Sequence, residues 1–346
     1  MLTRSMKRTV SIIGAGRVGK TLGKRLRERG WRIGAVVTRS AASARAAIRA
    51  IGAGTPYAAE KIFPRLGGSA GLQPREKRPA LEGALAPELA RPFRGSELQL
   101  RQKRASGRRA LAPEVAAILA SELILFSTPD DILPSLAQSL ATLGGSAWRG
   151  KIALHTSATL DRTALAPLAR RGAATGSLHP MQAFGGAIIP NLRGVIFAIE
   201  GDAKARRVAQ SIAKSLGGIP IPIATCDKPI YHASAVMAGG SLYPVIEAGL
   251  QLLIGIGFTR SRATQTLLPL ARQILDNIER IGPRAAWTGP LSRGDYAIVA
   301  KHTRALRRYL REIRDAYAAL ALLSGRVLAR NPRAALKQIN RALAAP

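Results

Sequence analysis

A single cysteine, Cys226, stands among 346 residues, so no internal disulfide can form, and a reducing cytoplasm is the compartment that such usage fits. Four histidines, scattered and without cysteine partners, give no metal-binding spacing, so no metal is expected. Aromatic residues make up only 4%, too few for the stacking platforms that hold single-stranded nucleic acid. Acidic residues are scarce as well, 20 against 53 Lys and Arg, for a net charge of +33. Clustered charge of that size would bind phosphate through counterion release. Here the arginines recur on segment after segment ("KRLRERG", "RALRRYLREIRD", "NPRAALKQINRA"), which reads as a solvated basic surface and not as a nucleic-acid face. Long apolar runs are missing too. No stretch of 18 or more residues suggests a membrane span, and the basic start "MLTRSMKRTVSIIGAG" has too short an apolar run for a signal peptide.

What is present is 47% hydrophobic residues, enough at this length for two domains with real cores. "TVSII" (9–13) and "RIGAVVT" (32–38) read as strands, each followed by a helical pattern, with Ser40 placed to cap the second helix. "SELILFSTP" and "KIALHTS" repeat the alternation, and "GVIFAIEGD" and "GGIPIPI" close it. Alternating strands and helices predict an α/β domain over 1–226, a doubly wound parallel sheet covered on both faces. Residues 56–112, rich in Pro, Gly and Arg without periodicity, read as a mobile basic insertion. From 227 to 325 the pattern is all-helical: long segments over 231–256 and 261–281, and a third after Gly294. In that third segment Leu306, Leu310, Ile313, Tyr317 and Leu320 fall on one helix face, and Ser324-Gly325 is the expected stop. Such a stripe suits helix packing and a dimer contact. Residues 326–346 form a basic, alanine-rich tail.

"GAGRVG" follows the first strand and opens the first helix, and a second strand arrives about 20 residues later, as a dinucleotide-binding fold requires. Gly14 permits the tight turn, Gly16 the approach of a pyrophosphate and Gly19 the packing of helix on strand. The main chain from Gly14 through Ala15, Gly16, Arg17, Val18 and Gly19 would hold the phosphates at a helix N-terminus. At the end of the second strand, where an acidic residue would engage the ribose of NAD, this chain has Thr38, Arg39 and Ser40. A cation and two hydroxyls suit a 2′-phosphate, so NADP (NADPH) is the expected cofactor.

Ligands of open parallel sheets lie beyond the carboxyl ends of the strands, and His155 and His179 fall at such ends. His232 begins the first long helix of the second domain. Reduction of a carbonyl requires a proton donor beside the forming alkoxide, and histidine titrates in a suitable range.

The segments "GAGRVG", "STPDD", "HTSAT", "GSLHPMQAF", "FAIEGD", "YHASAV", "WTGPLSRGD" and Lys301-His302 occur in an order that resembles a bacterial family of Rossmann-like proteins. The C-terminal domain of that family is a domain of unknown function of the 6-phosphogluconate dehydrogenase-like helical type. The likeness covers roughly 7–55 and 113–325, and some members are alternative ketopantoate reductases that use NADPH. The resemblance implies an NADP-dependent reductase of a small keto acid or related carbonyl or imine, acting on a small carboxylate substrate in an interdomain cleft, and a homodimer. It places Thr128 and Pro129 along the cofactor, and His155, Ser157, His179 and His232 toward nicotinamide or substrate. Thr288, Arg293 and Asp295 are added by "TGPLSRGD", with Arg293 as a clamp for the substrate carboxylate. Related dehydrogenases use a lysine and an asparagine on the helix of "YHASAV". This chain is read as having neither: Val236 stands one turn after His232 and Gly240 occupies the asparagine position, leaving His232 and the hydroxyl of Ser241. That departure keeps an NADP-binding sensor or partner protein as an alternative, and "LHPMQAFGG" keeps a likeness to prephenate dehydrogenases.

Overall fold

The computed structural model describes residues 8–63, 111–186 and 188–345. Its strands are β1 (Thr9–Ile13), β2 (Arg32–Thr38), β3 (Thr55–Ala58), β4 (Leu123–Phe126), β5 (Ile152–His155), β6 (Ala174–Pro180), β7 (Ile196–Gly201) and β8 (Ile219–Pro222). Around them lie α1 (Arg17–Glu28), α2 (Ala41–Ile51), α3 (Ala59–Ile62), α4 (Pro113–Leu119), α5 (Leu133–Gly144), α6 (Ala166–Ala169), α7 (Ala203–Ser215) and α8 (Lys228–Ala235). The remaining helices are α9 (Leu242–Ile254), α10 (Arg260–Ile281), α11 (Pro283–Ala286), α12 (Pro290–Arg293), α13 (Tyr296–Leu306), α14 (Arg311–Val327) and α15 (Pro332–Ala344). The chain divides into compact units 1–235 and 236–346.

In the first unit the eight strands form one sheet in the order β3-β2-β1-β4-β5-β6-β7-β8, with the strand order reversing between β1 and β4 as in dinucleotide folds. Alternation along the strands sends Val10, Ile12, Leu123 and Leu125 to one face, against Leu22 and Leu26 of α1 and Ile212 of α7. It sends Ile13, Ile124 and Phe126 to the other, against Val115, Leu136, Leu140 and Trp148. Burial on both faces is what the near-continuous apolar runs encode. Ser40 caps α2 as expected, its Oγ accepting from Ser43 N at 3.3 Å.

Several expectations are corrected. The sheet is not wholly parallel, because β7 runs antiparallel to β6: the connection between them contains no helix that could carry the chain back across the sheet. The expected insertion starts too early, since 55–58 form β3 beside β2 and 59–62 form α3; residues 64–110, where its mobility was expected, lie outside the described residues.

In the second unit, the apolar stripe does not run along one helix. The chain turns between α13 and α14, leaving Leu306 6% exposed and Leu310 61% exposed. Neither Pro nor Gly marks that turn. Gly325 is no helix stop; α14 continues to Val327, and a Cβ at Gly325 would lie 2.5 Å from Ile339 Cδ1. The glycine is there so that α15 can pack on α14, and the supposed tail is a helix with Ile339 buried. The division into units falls after Ala235 and not after Cys226. Helical structure from Thr225 to Ile254 is, by length and composition, long and apolar enough to cross a membrane, which the sequence reading did not anticipate. It is interrupted by a π-helical turn over Val236–Gly240.

Candidate active site

Between β1 and α1 the backbone turns at Gly14 with φ +87°; a Cβ there would sit 2.5 Å from Ser127 O and 2.7 Å from Thr128 Cγ2. Only glycine tolerates both that conformation and that approach. A Cβ on Gly19 would meet Gly14 O at 2.3 Å, so the helix lies directly on the turn, whereas a Cβ on Gly16 would meet no atom within 4 Å. The open space is thus in front of the α1 N-terminus. No side chain caps that end, and no acidic residue stands in its first turn, so its free N–H groups favour an anion. Thr128 Oγ1, beside the turn, is buried without a hydrogen-bond partner, while Pro129 is exposed just beyond it. At the end of β2, Thr38 Oγ1 donates to Ser40 O at 3.0 Å and the Ser40 hydroxyl is engaged with Ser43. Arg39 is exposed, leaving its guanidinium as the available group. Arg17 and Lys20 line a groove of about 120 Å³ under Phe184, Gly185 and Gly186. Arg25 pins the same segment, donating to the carbonyls of Pro190 and Ile189, each at 3.0 Å.

A second cluster lies at the carboxyl ends of β5 and β6. Strand register sets His155 beside Ser177 and Ser177 beside Glu200, so three polar side chains share one face of an otherwise apolar sheet. Above them Lys228, 1% exposed, donates from Nζ to Ser177 Oγ at 2.9 Å. One helical turn later on α8, the hydroxyl of Tyr231 lies 3.1 Å from His179 Nδ1, with the rings edge to face at 5.6 Å. Lys228 and Tyr231 therefore clasp Ser177 and His179, two residues apart on β6. Burial, opposed by the charges of Glu200, Asp161 and Asp130, lowers the Lys228 pKa from its ordinary value. Burial first, then the Lys228 charge, push His179 down to about 4, and burial pushes the Tyr231 phenol up to about 12.

The three carboxylates around this cation are already engaged. Asp130 Oδ2 accepts from Ser157 Oγ at 2.7 Å and Thr159 Oγ1 at 2.8 Å. Asp161 accepts from the amide and hydroxyl of Thr163, and against the raising effect of burial those bonds hold its carboxyl below the usual range. Glu200 accepts from Arg162 N at 2.8 Å, and burial raises its pKa.

His155, Ser157, His179 and His232 come together in the first unit, with His155 and Ser157 already engaged by the protein itself. His155 is 1% exposed; its Nε2 lies 2.9 Å from Asp161 O, and Ser157 N donates to its Nδ1 at 3.2 Å. With both ring nitrogens occupied, it has no free atom for substrate. Ser157 is tied into the same turn, accepting from Thr159 N and Leu160 N. His232 is half-buried with Nδ1 buried and unpartnered. Ser241, Thr288, Arg293 and Asp295 belong to the second unit, where Arg293 Nε pairs with Asp295 Oδ2 at 3.2 Å on the surface. That short-range pair engages the guanidinium which the sequence reading had aimed at a substrate carboxylate.

Sequence reasoning missed Lys228, Tyr231, Ser177, Glu200, Asp130 and Asp161. The helix of "YHASAV" does carry a lysine, at its first residue. Polar residues at alternate positions in "GSLHP", a carboxylate inside "FAIEG", and the one-turn spacing of "KPIY" were the available signals.

A Rossmann-like domain model matches residues 95–180, and the model named Domain of unknown function (DUF2520) matches 195–323. No curated protein matches the chain. Among solved structures the chain is similar to a Bacteroides fragilis protein described as an NADP oxidoreductase, with 17% identity and a TM-score of 0.63 over 95% of this chain and 98% of that one. It is similar to a Thermotoga maritima protein at 18% identity and TM-score 0.58, over 96% of this chain and 100% of the other. A reductive aminase of Aspergillus terreus in complex with NADPH and ethyl-5-oxohexanoate is similar at 16% identity and TM-score 0.58, over 94% and 97%. At such identities the likeness is one of fold. Residues 95–180 thus match the Rossmann-like model and residues 195–323 the DUF2520 model, and the chain as a whole shares the fold of these three solved proteins.

Proposed function

We propose that the protein is an NADPH-dependent reductase of a small keto acid or a related carbonyl or imine, with ketopantoate as the first substrate to test. The observation that carries this reading is the cradle at Gly14, Gly16 and Gly19: a turn only glycine can make, open space before an uncapped helix N-terminus, and an unsatisfied Thr128 hydroxyl beside it. A dinucleotide fits these features. The amides from Ala15 to Gly19 would take the pyrophosphate, Arg39 the 2′-phosphate, and Thr128 and Pro129 the path toward the nicotinamide. When bound, the reduced nicotinamide supplies a hydride for the substrate carbon. The chain's own residues must supply a proton for the substrate oxygen or nitrogen, and Tyr231 with His179 is the pair whose geometry suits that task.

Melting curves with NADPH and NADH test the cofactor, since a ligand of the native state raises its stability by mass action. The expected result is a larger upward shift with NADPH; no shift with either nucleotide would sink the reading. Loss of NADPH absorbance with a panel of 2-keto acids and imines then tests turnover. A shift with NADPH but silence across the panel would favour a nucleotide-binding sensor or partner protein.

A homodimer is part of the proposal. On α9 and α10, Tyr243, Val245, Leu270, Ile274 and Leu275 are exposed, while those two helices bury only Leu250 and Ala263. Exposed apolar surface of this extent marks an interaction face, and a second copy fits it. Sedimentation of a single species at the monomer mass at micromolar concentration would reject that part.

A further inference from the structure

The buried cation under the site has no role in the reaction as described so far. Lys228 is among the largest fully buried side chains of the protein, and among the described residues it makes no contact ion pair. Its ammonium meets a neutral hydroxyl, Ser177 Oγ, and the nearby carboxylates are engaged by Ser157, Thr159, Thr163 and Arg162. A charge that is buried and uncancelled by contact acts on its neighbours through a low dielectric. Ser177 and His179 stand on the same face of β6, two residues apart, so the ammonium sits next to the one imidazole that touches Tyr231.

We propose, resting on the reductase reading, that Lys228 is a positioning residue that keeps the His179 imidazole uncharged, so that the proton delivered to substrate resides on the Tyr231 hydroxyl and not on a histidine. The neutral ring accepts from or donates to the phenol without competing as an acid. In the step itself the O–H bond of Tyr231 breaks, its proton bonds to the substrate oxygen that gains negative charge as the carbon is reduced, and the phenolate left behind lies one turn from the Lys228 ammonium. Solvent returns the proton. The charged and titratable groups facing His179 are Lys228, Tyr231 and His232 from α8, His155 from β5, and Asp130 beyond β4. Glu200 on β7 faces Ser177 one register step away. Burial and the Lys228 charge are the two largest effects on His179, and both favour the neutral ring.

The test is a proton NMR titration of the imidazole C–H signals in the full chain without nucleotide, so that it stands whether or not reductase activity is found. His179→Gln assigns the signal among the four histidines. In the wild type His179 should remain neutral to below pH 5, and Lys228→Met should move its midpoint upward, toward 6.5. Ser177→Ala, which removes the hydrogen bond but keeps the charge, should leave the midpoint low. A wild-type midpoint near 6.5 overturns the proposal. So does an unchanged midpoint in Lys228→Met, or an equal rise in both variants, which would make the clasp merely structural. If Lys228→Met does not fold, Lys228→Gln replaces it, with the same rise expected and an unchanged midpoint again overturning the proposal. With a substrate identified, kcat of the wild type should show no acid limb near 6.5 and Tyr231→Phe should lose about 10²-fold or more; a limb at 6.5 that vanishes in His179→Gln would place the proton on the ring and refute it.

Discussion

Acidification should cost this protein stability through His155 as the pH falls below about 6.5. Burial first, then the Lys228 charge, push this imidazole down to about 4, against an ordinary value near 6.5 in the unfolded chain. Between those values the unfolded state binds a proton that the folded state refuses, so the free energy of unfolding rises with pH through this window. The stability is fully present above about 6.5 and is lost as the pH falls toward 4. At about 1.4 kcal/mol per pH unit the loss is on the order of 3 kcal/mol from this one side chain. His179 acts with the same sign. The perturbation is His155→Gln, whose amide can still donate to Asp161 O but cannot titrate. Urea unfolding measured from about pH 8 to about pH 4 gives the difference between wild type and variant at each pH. A Trp287→Phe background confines the fluorescence to Trp31 and Trp148, both in the first unit. The wild type should lead by a constant amount at high pH and lose roughly 3 kcal/mol of that lead on acidification. A difference that stays level down to pH 4 would refute the argument, because a ring that titrates normally when folded contributes no such slope.

Three other substitutions test the cofactor cradle and its supports. Gly19→Ala puts a methyl group 2.3 Å from Gly14 O, so it should cost about 1–3 kcal/mol in stability and remove the melting shift with NADPH; a normal shift would show that the helix does not rest on the turn. Arg39→Ala should narrow the preference for NADPH over NADH by about tenfold, the worth of one charge-assisted hydrogen bond, read from titration of the two nucleotides. Arg25→Ala frees the carbonyls of Ile189 and Pro190 and should speed amide exchange over residues 188–192 while leaving the core strands protected.

Local chemistry in the sequence determined the elements that build the nucleotide cradle. The strands 9–13 and 32–38, the cap at Ser40 and the three glycines follow from alternation, hydroxyl capping and steric freedom, all read within a few neighbouring residues. Periodicity also foretold helices after 227, but it could not see the turn before Leu310, because apolar spacing continues through it unbroken. Gly325 misled for a related reason. A glycine ends helices or admits a neighbour, and only the packing of Ile339 tells which.

The cluster around Lys228 was decided by tertiary structure. His155, Ser177 and Glu200 lie far apart in the chain and meet because β5, β6 and β7 pair in one register. Lys228 becomes a buried cation only because α8 returns across that row. The same placement occupies both ring nitrogens of His155. Residue type establishes what a side chain can bind or exchange, whereas burial, register and neighbouring charge select which of those capacities it keeps.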